Sequence, residues 1–300
     1  MARSNAASSL RLPYVHPEVR DLAFLLCAPP PVHFGLPCPR ARLLGAEGLA
    51  CLAELDRDPA ALLSCLAASP RLRLGHYAEQ LLLFWFHLRP HIEVVAHGLA
   101  LRDPAGLTLG EFDFLLRVNG EPWHLETASK FYLQAPQAGG VLIGPGLNDA
   151  WPLKAHKLTQ QLALSDHVCA QGLLPADFAA CRRELLLAGW FFYPPDFVPL
   201  DAGLTRGWCA PLDEAWPRTH AAARWVHLAR ERWLAPARVR AEDTRNEAEL
   251  RQLLQMVPSP QLLAELEQGS DGVWVEVARG FVMPKAWPDT ARLDALLARV

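Results

Sequence analysis

Residues 110 to 130, GEFDFLLRVNGEPWHLETASK, alternate apolar and polar positions on either side of Asn119-Gly120. Two alternating runs separated by Asn-Gly predict a β-hairpin with a two-residue turn. Such a turn pairs Val118 with Glu121 and so fixes the rest of the register. Phe114 then opposes Leu125, Asp113 opposes Glu126, Phe112 opposes Thr127 and Glu111 opposes Ala128. Because strand side chains alternate, Phe112, Phe114, Leu116 and Val118 share one predicted face, the core face. Glu111, Asp113, Glu126 and Lys130 share the other.

The same periodicity organises the rest of the chain. Residues 17–70 read as short helices, interrupted by the proline-rich APPPVHFGLPCPR. GHYAEQLLLFWFHL, residues 75–88, is apolar nearly all round, the pattern of a buried helix, with Glu79 the exception inside it. HIEVVAHGLALRD then predicts a β segment closing at Asp-Pro. Asn148 or Asp149 is placed to cap a helix running to about Leu164, with Pro152 in its first turn. A second helix is expected over about Ala176 to Leu187, followed by GWFFYP as a short buried strand. DGVWVEVARGFVMP, residues 271–284, reads as a strand pair bent at Gly280. These elements divide the chain into an N-terminal helical segment (1–70), a central α/β core (71–195) and a C-terminal α+β extension (196–300).

Composition narrows the class. Half of the 300 residues are hydrophobic, enough for a sizeable core, and the formal net charge is −3. There is no global basic field, so any nucleic-acid contact must use a local patch. Seven cysteines, scattered and never spaced C-x-x-C, suggest neither a zinc site nor a disulfide framework and fit a reducing cytoplasm. The opening MARSNAASSLRLPYV lacks the apolar stretch of a secretory signal, and the longest apolar run, Leu81 to Phe86, is too short to span a membrane.

The charged hairpin face carries the candidate chemistry. Opposed carboxylates with Cβ atoms about 5 Å apart repel by roughly 3 kcal/mol at an effective dielectric of about 20. Lys130 offsets part of that cost, and a divalent cation could offset all of it. Two carboxylates suit Mg²⁺ or Mn²⁺, which keep several waters. The plain alternative is a solvated face with a surface salt bridge. Lys154, Lys157 and Gln161 fall on one side of the predicted helix and could meet phosphate oxygens, or form an ordinary solvated face. Glu79 could join the acidic cluster, or simply favour an early turn of its helix. His124 shares the acidic face, though a lone histidine is more often packing. GPGLNDAWPLK lacks the spacing of a phosphate loop. Seven of the ten tryptophans lie beyond residue 189, some beside arginine, and read as core residues with arginines on the rim.

The order helix with a glutamate, strand, hairpin with Asp and Glu, helix, strand resembles the core of the PD-(D/E)xK nucleases. Gly110-Glu111-Phe112-Asp113 is similar to that superfamily's Gly-Glu-x-Asp version, and Glu126 falls at the acidic partner's position. The usual lysine position is Ala128, whereas the nearest lysine is Lys130, two residues on and on the same face. The chain also resembles the bacterial family called domain of unknown function 1853, through VRDLA (19–23), ETASKFYL, the helix ending near Gln161 and ARGFVMP. The nuclease resemblance implies a restriction-endonuclease-like α/β core, a mixed central sheet flanked by helices. It implies Mg²⁺ or Mn²⁺ held by Asp113, Glu126 and the Thr127 backbone carbonyl, with Lys130 acting on water. The substrate would be nucleic acid, most naturally DNA. Supporting roles would fall to Glu79, Glu111, Lys154, Lys157 and Gln161. The alternative is a nuclease-like fold without catalysis that binds nucleic acid or protein.

Overall fold

A computed structural model describes residues 12–35, 38–68, 73–198, 203–220 and 223–300. The opening stretch weighed as a signal sequence therefore lies, up to residue 11, outside the described residues. Within them the chain is a mixed α/β protein built on a ten-stranded sheet. Helices α1 (Pro17–Cys27), α2 (Arg40–Leu44), α3 (Gly48–Arg57), α4 (Ala60–Ala67) and α5 (Leu74–Leu88) come first. Strands β1 (Ile92–Arg102), β2 (Thr108–Val118), β3 (Glu121–Gln134) and β4 (Leu142–Ile143) precede α6 (Trp151–Leu162) and α7 (Val168–Gln171). Next come β5 (Arg182–Tyr193), β6 (Arg206–Pro211), β7 (Arg224–His227), β8 (Arg238–Val239) and α8 (Glu247–Leu254). The chain ends with β9 (Gln261–Gln268), β10 (Trp274–Met283) and α9 (Thr290–Leu297).

The spatial order is β1-β2-β3-β5-β6-β10-β9-β7, with β4 on β3 and β8 on β10. Pairing is antiparallel from β1 to β3, parallel from β3 through β5 and β6 to β10, and antiparallel again to β9 and β7. The strands beyond residue 196 thus extend the sheet that begins with the hairpin. Parallel neighbours need a long crossover, and α6 and α7 supply it between β3 and β5.

Each sheet face is covered. On one, Leu22 and Phe24 of α1 and Leu81, Trp85 and Phe86 of α5 pack on Phe114, Leu116, Leu125 and Trp190. On the other, Leu158 of α6 lies with Ala128, Leu185 and Leu187, while Ala170 of α7 and Phe178 cover Phe112 and Leu115. The tryptophans at 190, 208, 216, 225 and 233 are buried, and Arg279 and Arg251 each lie over one of them, at 4.2 Å. All seven cysteines are free thiols. Among the described residues no helix is long and apolar enough to cross a membrane.

Three expectations are corrected. Residues 176–180 form only a 3₁₀ turn, and the rest of the supposed second helix is β5, continuous from Arg182 to Tyr193. Its leucines are apolar on both faces because β5 lies mid-sheet, where burial overrides their helical preference. Gly280 does not bend a strand pair. It lies within the single strand β10, where a Cβ would meet the Trp208 ring at 2.1 Å. Neither Asn148 nor Asp149 caps α6, whose N-cap is Ala150 without a side-chain bond. Asp149 is engaged elsewhere.

One buried charge links the helical layer to the C-terminal half. Asp21 is 3 % exposed and accepts hydrogen bonds from the Tyr77 hydroxyl (2.9 Å) and the Ala235 amide (3.0 Å). Burial outweighs those bonds and raises its carboxyl to about 6. The folded state therefore holds this proton more tightly than the unfolded chain does. The associated stability is fully present below the unfolded value near 3.8 and is lost as pH rises through about 6. Asp21→Asn should flatten that segment of the pH–stability curve, by on the order of 2 kcal/mol between pH 4.5 and 8. Urea denaturation of both proteins at the two pH values measures it. Parallel curves would mean that Asp21 is ionised throughout.

Candidate functional site

Asn119 and Gly120 both have positive φ, 53° and 79°, as a type I′ turn requires. The register follows as expected from Val118–Glu121 to Phe114–Leu125, and there the ladder ends. Asp113–Glu126, Phe112–Thr127 and Glu111–Ala128 are not ladder pairs. Instead β2 stays with β1, which carries a bulge between Val94 and Ala96, and leaves β3. A bulge bends a strand and increases its twist, which carries the pair away. The alternation also breaks. Phe112 packs with Leu115 and lies edge-on to His124 (4.8 Å), whereas Phe114 packs on Phe86 from the α5 side.

The divergence nevertheless brings the two acids together. Asp113 Oδ2 accepts from the backbone N–H of Thr127 (2.8 Å) and from its hydroxyl (3.1 Å). The side chain thus takes the place of the carbonyl that a continuing β2 would have offered. The Asp113 amide in turn lies 3.4 Å from Glu126 Oε1. Glu126 is fully buried, and Oε1 also lies 2.8 Å from His124 Nε2. Glu126 Oε2 is buried with no hydrogen-bond partner. Burial, and then the neighbouring Glu126, push the Asp113 carboxyl well above the ordinary aspartate range.

Beyond Leu125, β3 keeps only its β5 edge until β4 pairs at Leu133. The N–H and C=O of a strand residue point to one edge, so the Thr127 carbonyl shares the vacated edge with its N–H. On the other edge β5 approaches very closely. Gly189 has φ +116°, and a Cβ there would lie 1.9 Å from the Lys130 carbonyl oxygen. A cleft of about 380 Å³ opens along the vacated edge, lined by Thr127 to Tyr132, by Arg73, His76 and Glu79 of the α5 region, by Asp149 and Lys154, and by Arg230. Asp113 and Glu126 lie behind its Thr127 wall rather than lining it.

Lys130 does not join the acids as expected. Its Nζ pairs with Asp149 (2.7 Å), which also accepts from the Tyr132 hydroxyl (2.7 Å). Lys154 is the amine that feels Asp113, and it is half-buried in the cleft wall. Burial lowers its pKa, helped by Lys130 and Lys157. Glu79 lines the cleft and feels the acids through charge alone: burial raises its carboxyl, Glu111 and Glu126 add to the rise, and His76 and Lys154 oppose it. Glu111 and Lys157 are exposed, and Gln161 is half-buried with its side-chain oxygen unpartnered. His124, placed on the acidic face by the sequence but read there as packing, bonds Glu126 directly. The spacing of two residues on one strand, which puts both side chains on one face, is the signal that favours pairing over packing.

Among the described residues no three His, Cys, Asp or Glu side chains converge as a complete cation site. Two carboxylates, one of them with a buried oxygen that has no donor, and a strand-edge carbonyl are the oxygen donors that a hard divalent cation takes. No curated protein and no solved structure matches the chain. The sequence model of one family, described as a domain of unknown function (DUF1853), matches residues 20–283, and the chain belongs to that family.

Proposed function

We propose that the protein is a metal-dependent phosphodiesterase acting on nucleic acid, most naturally DNA, with a restriction-endonuclease-like core of the PD-(D/E)xK kind. One observation carries this reading: Glu126 Oε2 is sealed from water without a donor, beside Asp113, where β2 parts from β3. A buried carboxylate oxygen left unpaired is costly, and a cation would relieve both that cost and the repulsion between the acids. Asp113, Glu126 and the Thr127 carbonyl would hold Mg²⁺ or Mn²⁺. When bound, the ion would stabilise charge on the phosphate and acidify a coordinated water. Lys154, with its lowered pKa, would orient or deprotonate the attacking water. Arg73 and Arg230 give the cleft a cationic rim suited to phosphate oxygens.

A second reading has its own support. With Lys130 held by Asp149, the protein would bind nucleic acid or a protein partner without cutting. Incubation with single-stranded, duplex and branched DNA and RNA, with Mg²⁺ or Mn²⁺ and then with chelator, separates the two. Cleavage that chelator abolishes is the expected result. Binding that is indifferent to chelator, with no cleavage on any substrate, would leave the binding module standing in its place.

A further inference from the structure

His124 and Glu126 sit two residues apart on β3, both fully buried, with Nε2 2.8 Å from Oε1. In the tautomer with the hydrogen on Nε2, the ring donates to the carboxylate oxygen. Nδ1 in that tautomer faces the Ser165 hydroxyl, 3.3 Å away. Phe112 meets the imidazole edge-on at 4.8 Å. The Asp113 amide supplies a second donor toward the same carboxylate oxygen, at 3.4 Å. Every donor therefore falls on Oε1, and Oε2 has none. The two oxygens of a carboxylate are equivalent, so these donors hold one oxygen and leave the other unengaged whichever way the group is turned.

We infer that His124 is a positioning residue, anchored by Ser165, that fixes Glu126 so that Oε2 is the oxygen offered to a divalent cation. This inference rests on the metal-site reading above. The order Ser165, His124, Glu126 is also that of a hydrolytic relay. With Ser165 only 9 % exposed and the other two sealed, no acyl substrate reaches the hydroxyl. The relay serves orientation instead. Hydrogen-bond partners behind a metal ligand typically govern metal affinity by about 10- to 100-fold.

The test is Mn²⁺ titration of the full-length protein, followed by electron paramagnetic resonance, with thermal melts in chelator to verify folding. His124→Phe keeps an aromatic ring but removes both hydrogen bonds, and should weaken Mn²⁺ binding by roughly 10-fold or more. His124→Gln keeps a donor near Oε1 and should recover most of that loss, which a purely structural role would not require. Unchanged Mn²⁺ affinity in a folded His124→Phe protein overturns the inference while leaving the metal site intact. A wild type that binds no Mn²⁺ overturns the metal reading and the inference together. If His124→Phe does not fold, Ser165→Ala decides: weaker Mn²⁺ binding with an unchanged melt supports the relay, and unchanged binding overturns it.

Discussion

Glu126→Gln is expected to abolish the response to divalent metal and to reduce nucleic-acid cleavage by roughly 100-fold or more. The substitution keeps the shape of the side chain, and its carbonyl can still accept from His124. It replaces the unpaired oxygen Oε2 with an amide nitrogen, which repels a cation instead of binding it. The same change removes a negative charge beside Asp113, so metal-free stability should rise by about 1 kcal/mol. Wild type should gain stability with saturating Mg²⁺ or Mn²⁺, by an amount set by ligand concentration over Kd, and the variant should not. Asp113→Asn should behave alike in direction, although it also weakens the acceptor of the Thr127 N–H. Thermal melts with and without metal, beside a cleavage assay, measure both parts. Equal metal responses in wild type and Glu126→Gln would remove Glu126 from the site.

The second expectation separates two lysines. Lys154→Met should lower cleavage by roughly 100-fold, and Lys130→Met by less than 10-fold. Lys154 is half-buried in the cleft wall, feels the charge of Asp113, and has its pKa lowered by burial and by Lys130 and Lys157. Lys130 is held by Asp149, whose carboxylate Tyr132 also engages. Both members of that ion pair are roughly a third exposed, so losing it costs little stability. Single-turnover rates at saturating metal compare the two directly. If Lys130→Met were the more damaging change, Lys130 would have to leave Asp149 when substrate arrives, and it would be the working amine after all.

The sequence made parts of this site legible and hid others, for identifiable reasons. Asn119-Gly120 demands positive φ at both turn positions, so the register down to Phe114–Leu125 could be read directly. The association of Asp113 with Glu126 followed from that register. The parting of the strands did not, because it depends on the β1 bulge and on Asp113 accepting the Thr127 N–H, both tertiary events. Phe112 illustrates the limit: its neighbours in sequence place it with Phe114, whereas its packing partners, Leu115 and Phe178, are on the opposite face. Lys130 was misjudged because its partner Asp149 lies in a loop that sequence alone assigns to helix capping. β5 was misjudged because leucines buried on both faces carry no period to distinguish strand from helix.

The hairpin also bears on the order in which the molecule can assemble. Asp113 and Glu126 are 13 residues apart and meet across a tight turn, so the acidic half of the site needs very little loop closure. The amine comes on α6, inside the crossover to β5, and the sheet is completed only when β6 pairs with β10 far along the chain. Contacts of short sequence separation form fastest, and distant parallel pairing is slow. Two like charges are thus brought together early, before the cationic wall that faces them is in place. On the metal-binding reading proposed above, a divalent ion in the surrounding medium would assist the compaction of this hairpin during biosynthesis.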